Sequence, residues 1–229
     1  MSNKRIIGFD ADDTLWENEV FFHRAQMKFM ELHTHIEDPE EVIFQIEKEN
    51  IKFYGYGIKG FVLSLLEASV RFSNNQPDLQ NIAKIIKIGK DMLAQPIQLL
   101  PKVKDTLRHL SEHYTLIMIT KGDLLDQQKK VRGSGLWKYF HSIEIVSEKN
   151  EQTYLEILKK NNTSPENFLM VGNSLKSDIL PVTKIGGTGI YIPHKFTWRY
   201  EKLDGTCESE RFVELKTISD LKVWLENKI

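Results

Sequence analysis

The chain has 229 residues, of which 41% are hydrophobic and 28% charged, a composition typical of a globular protein with one or two domains. Its 31 Lys and Arg residues balance 32 Asp and Glu residues, so net charge gives no reason to expect a nucleic-acid or anionic-membrane partner. The single Cys207 cannot form an internal disulfide, and the sequence shows neither a signal-peptide pattern nor a membrane-spanning apolar run. We therefore expect a soluble protein of the reducing cytoplasm.

Five short apolar runs predict strands that are buried on both faces. They are Arg5–Phe9, Tyr114–Ile119, Ser142–Val146, Phe168–Val171 and Thr188–Ile192. Helical patterns lie between these runs, for example the stretch that opens at Pro101 and the stretch Glu151–Lys160. Because strands alternate with helices, we predict an α/β, three-layer Rossmann-like core built on a parallel sheet.

The stretch from about Glu17 to Leu93 differs, because it contains successive helical patterns and no convincing strand. Within it, Asp38 and Pro39 followed by two glutamates form a helix-start signal. We predict an inserted all-helical domain at residues 17–96, with the α/β core formed by residues 1–16 and 97–229.

Three carboxylates follow the first predicted strand, in the segment Asp10–Thr14. Turn formation can account for Asp13 and Thr14, since Asp is a common turn former and helix cap. Asp10 and Asp12, however, can both point into a cleft at the carboxyl end of the strand, where ligands bind in open parallel sheets. Their mutual repulsion there favours a divalent cation.

Other polar residues follow the later strands in chain order. Thr120 and Lys121 follow the second strand, Lys149 follows the third, and a Gly172–Asp178 segment containing Asn173 follows the fourth. All of them are expected at one edge of the sheet. This ordered set resembles the four motifs of the haloacid dehalogenase superfamily, and the helical insertion resembles the cap domain that many members carry between the first two motifs.

The resemblance implies a phosphatase in which Asp10 attacks phosphorus and Asp12 acts as general acid and base. It implies a Mg²⁺ ion held by Asp10, the backbone carbonyl of Asp12, Asp178 and Asn173, which stands where the family often has Asp.

The resemblance also implies how the phosphoryl group is bound. Lys149 would offset the negative charge, while the Thr120 hydroxyl and the backbone amide of Lys121 would donate hydrogen bonds to phosphoryl oxygens. For the side chains of Lys121 and Lys176, a solvated position is the expected one. The implied substrate is a small phosphorylated metabolite, and a monomer is the default oligomeric state.

Three other functions compete with this interpretation. A dehalogenase of the same fold typically lacks the second Asp of the first motif, so Asp12 argues against it. A phosphosugar mutase uses the same motifs and passes the phosphoryl group to a second hydroxyl, so the motifs do not separate it from a phosphatase. A non-catalytic phosphoester-binding protein is disfavoured because nucleophile, acid/base and lysine are all present.

For the other candidate functional residues, a purely structural role is as plausible as a functional role or more so. Trp16 either lines the entrance to the site or packs in the core. His33 and His35 are expected to be surface residues at a helix end rather than a metal pair. The basic and aromatic segment His194–Lys202 is expected to be a loop that flanks the active site rather than a nucleic-acid surface.

Overall fold

The computed structural model describes residues 5–34, 36–202 and 209–227, so His35 and Cys207 lie outside the described residues. The chain divides into two compact units, one formed by Met1–Glu17 and Ile97–Ile229 and the other by Asn18–Pro96. None of the helices in the described part of the chain is long and apolar enough to cross a membrane.

The first unit contains a parallel sheet with the strand order β3-β2-β1-β4-β5-β6. The strands are β1 (Ile6–Phe9), β2 (Thr115–Lys121), β3 (Ser142–Val146), β4 (Phe168–Gly172), β5 (Thr188–Tyr191) and β6 (Phe212–Glu214). The predicted α/β fold with a parallel sheet is confirmed. The edge strand β6 was not predicted, because it is three residues long and its side chains are only partly buried or exposed.

The described helices are α1 (Glu19–Glu31), α2 (Pro39–Tyr54), α3 (Ile58–Phe72), α4 (Leu79–Leu93), α5 (Val103–His113), α6 (Leu124–Ser134), α7 (Glu151–Lys160), α8 (Leu180–Lys184) and α9 (Asp220–Glu226). Single 3-10 turns lie at Trp137–Tyr139, Pro165–Asn167 and Arg199–Glu201, and a π-helical turn at Leu175–Ile179 precedes α8.

Helices cover both faces of the sheet, because successive strand residues point to opposite sides. In β1, Ile7 and Phe9 pack against residues of α5, α6 and α9, such as Leu107. Ile6 belongs to the other face, where Tyr154 of α7 contributes to the apolar cluster together with α8. The central strands β1, β2 and β4 are therefore largely apolar and buried on both faces, and polar residues lie at or after their carboxyl ends.

The second unit consists of α1–α4 around its own apolar core. Helix α2 begins at the predicted signal, where the Asp38 side chain accepts a hydrogen bond from the Glu41 amide at 3.3 Å. The expectation of a surface position for His33 was wrong. Its ring is buried and lies 4.7 Å from the ring of Phe29 and 5.5 Å from that of Phe72, because it faces the apolar stripe of the unit.

Within the first unit, the segments that precede and follow the helical insertion pair with each other. The amide of Glu17 donates to the carbonyl of Gln98 at 2.9 Å, and the amide of Leu100 donates to the carbonyl of Leu15 at 3.0 Å. Between these bonds, Trp16 forms an antiparallel bridge. The start and the end of the insertion are thus tied together by backbone hydrogen bonds of the α/β unit.

Candidate active site

The polypeptide makes a tight turn immediately after β1. The carbonyl of Ala11 accepts a hydrogen bond from the amide of Leu15 at 2.8 Å, and the amide of Asp13 donates to the carbonyl of Trp16 at 2.7 Å. Asp13 has a φ of 61°, a left-handed conformation that Asp adopts more readily than most residues. The turn leaves Asp10 at the end of the central strand, buried, with Asp12 beside it.

Lys149 bonds to a carboxylate of the first motif, Asp10, and to one of the fourth motif, Asp178. Its Nζ lies 2.5 Å from Oδ1 of Asp10 and 2.7 Å from Oδ1 of Asp178. The side chains of Lys149 and Asp178 are only 2% and 1% exposed. Of the three lysines that the sequence places near strand ends, Lys149 is the one bonded to both carboxylates. The structure therefore brings together three of the predicted site residues.

Two buried carboxylates face one buried ammonium group, and the pKa values reflect this imbalance. Burial raises the pKa of Asp10 to about 7; the positive charge of Lys149 opposes the change, and the negative charge of Asp178 adds to it. Burial alone would lower the pKa of Lys149, but Asp10 and Asp178 raise it above its ordinary value. The site thus carries an excess of negative charge for which a further cation would compensate.

Asp178 is fixed by the backbone of its own motif. Its Oδ2 accepts a hydrogen bond from the amide of Ser174 at 3.0 Å. A Cβ atom at Gly172 would lie 2.2 Å from the same oxygen, so a side chain at that position is sterically incompatible with Asp178 as placed.

The amide group of Asn173 faces the oxygens of the first motif. One of its two terminal atoms lies 3.1 Å from Oγ1 of Thr14, 3.2 Å from Oδ2 of Asp10 and 3.2 Å from the carbonyl oxygen of Asp12. The Thr14 hydroxyl donates its hydrogen to Asp10 at 2.9 Å, so an amide nitrogen facing these atoms would have three acceptors for its two hydrogens. With the amide turned to present its oxygen instead, Asn173, Asp10 and the Asp12 carbonyl would form an all-oxygen set of the kind that Mg²⁺ prefers. The residues therefore fit the metal.

Thr120 lies near the carboxyl end of β2 and is 1% exposed. Its Oγ1 has no hydrogen-bond partner among the residues that the structure describes. A buried hydroxyl without a partner is costly unless a ligand completes its bonding. A phosphoryl oxygen bound beside Thr120 would accept a hydrogen bond from this hydroxyl group.

The expectation that the side chains of Lys121 and Lys176 are solvated was wrong. Nζ of Lys121 lies 2.6 Å from Oε1 of Glu201 and 3.2 Å from Oγ of Ser177, and the lysine side chain is 12% exposed. Nζ of Lys176 lies 3.6 Å from the ring centre of Tyr200. Both lysines contact the His194–Lys202 segment, whose partners could not be known from local sequence.

Glu201 fastens that segment to the fourth motif. Its Oε2 accepts hydrogen bonds from Ser174 Oγ at 2.6 Å and Ser177 Oγ at 2.5 Å. Burial opposes ionisation, but Lys121 and the two hydroxyl groups hold the pKa of Glu201 below its usual range. The segment is therefore a site-flanking loop, held by an ionised glutamate.

Asp12 differs from Asp10 in its surroundings. Its Oδ1 accepts from Trp16 Nε1 at 2.6 Å, its Oδ2 accepts from Gln127 Nε2 at 2.7 Å, and Lys130 Nζ lies 3.1 Å from both oxygens. Trp16 is fully buried in the core. Burial alone would lower the pKa of Lys130, but Asp12 and Asp126 raise it. Sequence reasoning missed Gln127 and Lys130. Their spacing of three places them on one face of the helix after β2, but it does not indicate which residue that face contacts.

Two other groups of side chains in the described part of the chain have ligand atoms close enough for a metal ion. They are His109 with Glu112 and His113 on α5, and Asp13 with Glu17 and His194. Neither contains Asp10 or Asp178. In the second group, His194 Nδ1 also lies 2.9 Å from the carbonyl oxygen of Phe196, so the ring already has a structural partner.

A family model described as haloacid dehalogenase-like hydrolase matches residues 4–186, and the chain belongs to this family. A curated relative, the glyceraldehyde 3-phosphate phosphatase of Methanothermobacter thermautotrophicus, is 27% identical over 202 residues, which cover 84% of this chain and 87% of the relative. The predicted family and enzyme class, a phosphatase-type hydrolase, are confirmed.

Solved structures agree with this assignment. The crystal structure of a haloacid dehalogenase-like hydrolase from Xanthomonas campestris is 32% identical, with a TM-score of 0.89 over 99% of this chain and 93% of that one. A Thermotoga maritima protein assigned as a β-phosphoglucomutase has a TM-score of 0.68 at 19% identity, covering 98% and 100% of the two chains. The second similarity shows a shared fold alone.

Proposed function

We propose that this hydrolase cleaves a small phosphomonoester through a covalent aspartyl-phosphate on Asp10, with Mg²⁺ as its metal. The observation that carries the proposal is the bonding of Lys149 to both Asp10 and Asp178 at the carboxyl end of the sheet. An anionic nucleophile can approach a phosphoester only where cations reduce the repulsion, and this lysine meets that need.

In the first half-reaction, a carboxylate oxygen of Asp10 forms a bond to phosphorus as the bond to the ester oxygen breaks. The departing ester oxygen takes a proton from Asp12, and the alcohol portion of the substrate leaves. The Lys149 ammonium group offsets charge on the phosphoryl oxygens. The hydroxyl of Thr120, which has no hydrogen-bond partner in the described part of the chain, donates to one of them. The backbone amide of Lys121 is proposed as a second donor.

In the second half-reaction, Asp12 takes a proton from a water molecule as the water oxygen bonds to phosphorus. The bond between phosphorus and Asp10 breaks, which releases inorganic phosphate and restores the carboxylate. One residue thus gives up a proton in the first half and regains it in the second, so no other proton donor is needed.

Asp10, the carbonyl of Asp12, Asp178 and Asn173 would hold the metal ion. When bound, Mg²⁺ would supply positive charge to the phosphoryl group and to the crowded carboxylates. The oxygens that converge on Asn173 and the raised pKa of Asp10 support this assignment. Because Asn carries no charge, the site has one negative charge fewer than it would have with Asp at that position.

The four-helix unit is proposed as the cap that restricts the substrate to small metabolites. Its support is topological, because the unit is inserted between β1 and β2 and its two connections are paired at Leu15–Glu17 and 98–100. The curated relative is named for a three-carbon sugar phosphate, so glyceraldehyde 3-phosphate and related triose phosphates are the first substrates to test.

The test measures phosphate release from a panel of phosphomonoesters, in Mg²⁺ and in EDTA, for the wild type, Asp10→Asn and Asp12→Asn. We expect release that requires Mg²⁺ and is abolished by Asp10→Asn. No release from any substrate by a folded, Mg²⁺-bound protein would overturn the proposal. Transfer of the phosphoryl group to a second sugar hydroxyl in place of water would identify a mutase.

A further inference from the structure

The carboxylate of Asp12 has no accepting position to spare. A carboxylate offers about four lone-pair sites, two on each oxygen. Oδ1 faces Trp16 Nε1 and Lys130 Nζ, and Oδ2 faces Gln127 Nε2 and Lys130 Nζ. A proton can therefore be added to Asp12 only if one of these donors is displaced.

The three donors, which we call the Asp12 clamp, are themselves firmly held. Gln127 is 2% exposed, and its Nε2 also donates to the carbonyl oxygen of Lys121 at 3.1 Å. Since both contacts of this nitrogen are acceptors, the orientation of the amide group is fixed. Gly122 makes room for it, because a Cβ atom there would lie 2.9 Å from Nε2, and its φ of 149° suits glycine.

Lys130 and Gln127 share one face of α6, where residues three apart are neighbours. Nζ of Lys130 also lies 3.5 Å from Oδ2 of Asp126, and the lysine side chain is 12% exposed. Asp123 caps the start of the helix, since its side chain accepts from the amide of Asp126 at 3.0 Å. Because a capped helix of the core carries both side chains, they are fixed relative to the sheet and can orient the flexible side chain of Asp12.

We propose that Gln127 and Lys130 are positioning residues for Asp12. Together with Trp16, they hold its carboxylate in the orientation in which it approaches the attacking water. One of these contacts opens as Asp12 takes up the proton and forms again after the proton has passed to a leaving group. The inference rests on the proposed function, because it assumes that Asp12 is the acid and base.

The two halves of the reaction then depend differently on the clamp. With p-nitrophenyl phosphate, the leaving group departs as a stable anion, so formation of the aspartyl-phosphate does not need a proton. Hydrolysis of the aspartyl-phosphate still needs Asp12 in position to take a proton from water. Weakening the clamp should therefore slow the second half much more than the first.

The adjacent residues provide matched controls, since Gln127 and Lys130 contact Asp12 whereas Gln128 and Lys129 are exposed. The experiment records nitrophenolate release by stopped flow for Lys130→Met and Lys129→Met in Mg²⁺. For Lys130→Met we expect a first-turnover burst within threefold of the wild type and a steady-state rate reduced roughly 10- to 100-fold. Lys129→Met should match the wild type in both phases, and Lys130→Arg should recover part of the steady-state rate because it restores a charged donor.

Equal losses in burst and steady state for Lys130→Met would indicate a merely structural role and overturn the inference, as would behaviour identical to that of Lys129→Met. If Lys130→Met does not fold, the pair Gln127→Glu and Gln128→Glu replaces it, since Gln127→Glu puts a carboxylate against Asp12. The same difference between the phases is then expected for Gln127→Glu alone. Failure of the proposed function is distinguishable, because the wild type itself would then release no nitrophenolate.

Discussion

Lys149 lies 2.7 Å from Asp178, and both side chains are almost completely removed from solvent. Removing one partner of a buried ion pair costs about 3–5 kcal/mol, because the remaining charge stays buried without compensation. In this site Lys149 also bonds Asp10, so its removal leaves two carboxylates.

We therefore expect Lys149→Met to lower the free energy of unfolding in EDTA by about 3–5 kcal/mol and to abolish turnover. Mg²⁺ should restore part of the stability but none of the activity. Urea denaturation with and without Mg²⁺ measures this. Lys160→Met is the control, since Lys160 pairs with Glu144 while 66% exposed and should change stability by about 1 kcal/mol or less. Equal effects of the two substitutions would contradict the expectation.

Asp10 should make the protein in EDTA less stable as the pH rises. Its folded-state pKa is raised from 3.8 to about 7, so between these values the folded protein binds the proton more tightly than the unfolded chain. This contribution to stability is present at low pH and is lost as the pH rises through about 7. Asp10→Asn should be inactive yet more stable than the wild type at pH 8, by roughly 2–4 kcal/mol, with the difference shrinking toward pH 4. Denaturation curves at several pH values in EDTA test this, and a variant less stable than the wild type at pH 8 would refute it.

Asn173 sets the charge of the proposed metal site. Asn173→Asp adds a carboxylate beside Asp10 and the Asp12 carbonyl, so it should lower the melting temperature in EDTA through like-charge repulsion. It should also tighten Mg²⁺ binding by roughly tenfold, since carboxylate count raises cation affinity. Calorimetric titration with Mg²⁺ and thermal melts measure the two effects. The exposed Asn162→Asp serves as control, and unchanged Mg²⁺ affinity in Asn173→Asp would remove Asn173 from the ligand set.

Gly172 is required by the position of Asp178 rather than by its own backbone angle. In Gly172→Ala the new Cβ would overlap Asp178 Oδ2, so the carboxylate must shift, which disturbs its contact with Lys149. We expect a loss of about 1–3 kcal/mol in stability and weaker Mg²⁺ binding. Gly133→Ala in α6 meets only Ile97 Cγ1 at 3.3 Å and should be tolerated better. A crystal structure of Gly172→Ala with Asp178 unmoved would show that the steric argument is wrong.

Glu201 should stabilise the fold in a pH-dependent way. Its pKa is held below its usual value of 4.5, so its contribution is present above that pH and is lost as the pH falls through the lowered value. Glu201→Gln replaces the carboxylate that pairs with Lys121 at 2.6 Å by an uncharged amide and should cost about 2 kcal/mol at pH 7. The difference from the wild type should narrow below pH 4.5, whereas the exposed Glu156→Gln should show little effect at any pH. A constant difference across the pH range would contradict this assignment.

Strands β1–β5 were predictable because each coincides with a short, largely apolar run, and the sheet order places their carboxyl ends side by side. Strand β6 was not, since Phe212 and Val213 are only half buried and too few for a pattern. The contacts of Lys121 and Lys130 were also beyond reach. A lysine after a strand or on a helix is usually solvated. Here the carboxylate that pairs with Lys121 lies 80 residues away in the sequence, and the one that pairs with Lys130 lies 118 residues away.

The pairing of Leu15–Glu17 with residues 98–100 has a consequence for how such chains diversify. Backbone hydrogen bonds hold the two ends of the insertion together. For the α/β unit, the insertion is therefore equivalent to a loop whose ends lie at a fixed separation, whatever residues it contains. The entropy of closing a loop grows only slowly with length, by about 0.6 kcal/mol for each doubling. A shorter or longer helical insertion could thus replace the present one with little loss in the stability of the sheet. Such a replacement would let substrate preference change while the reacting groups stay in place.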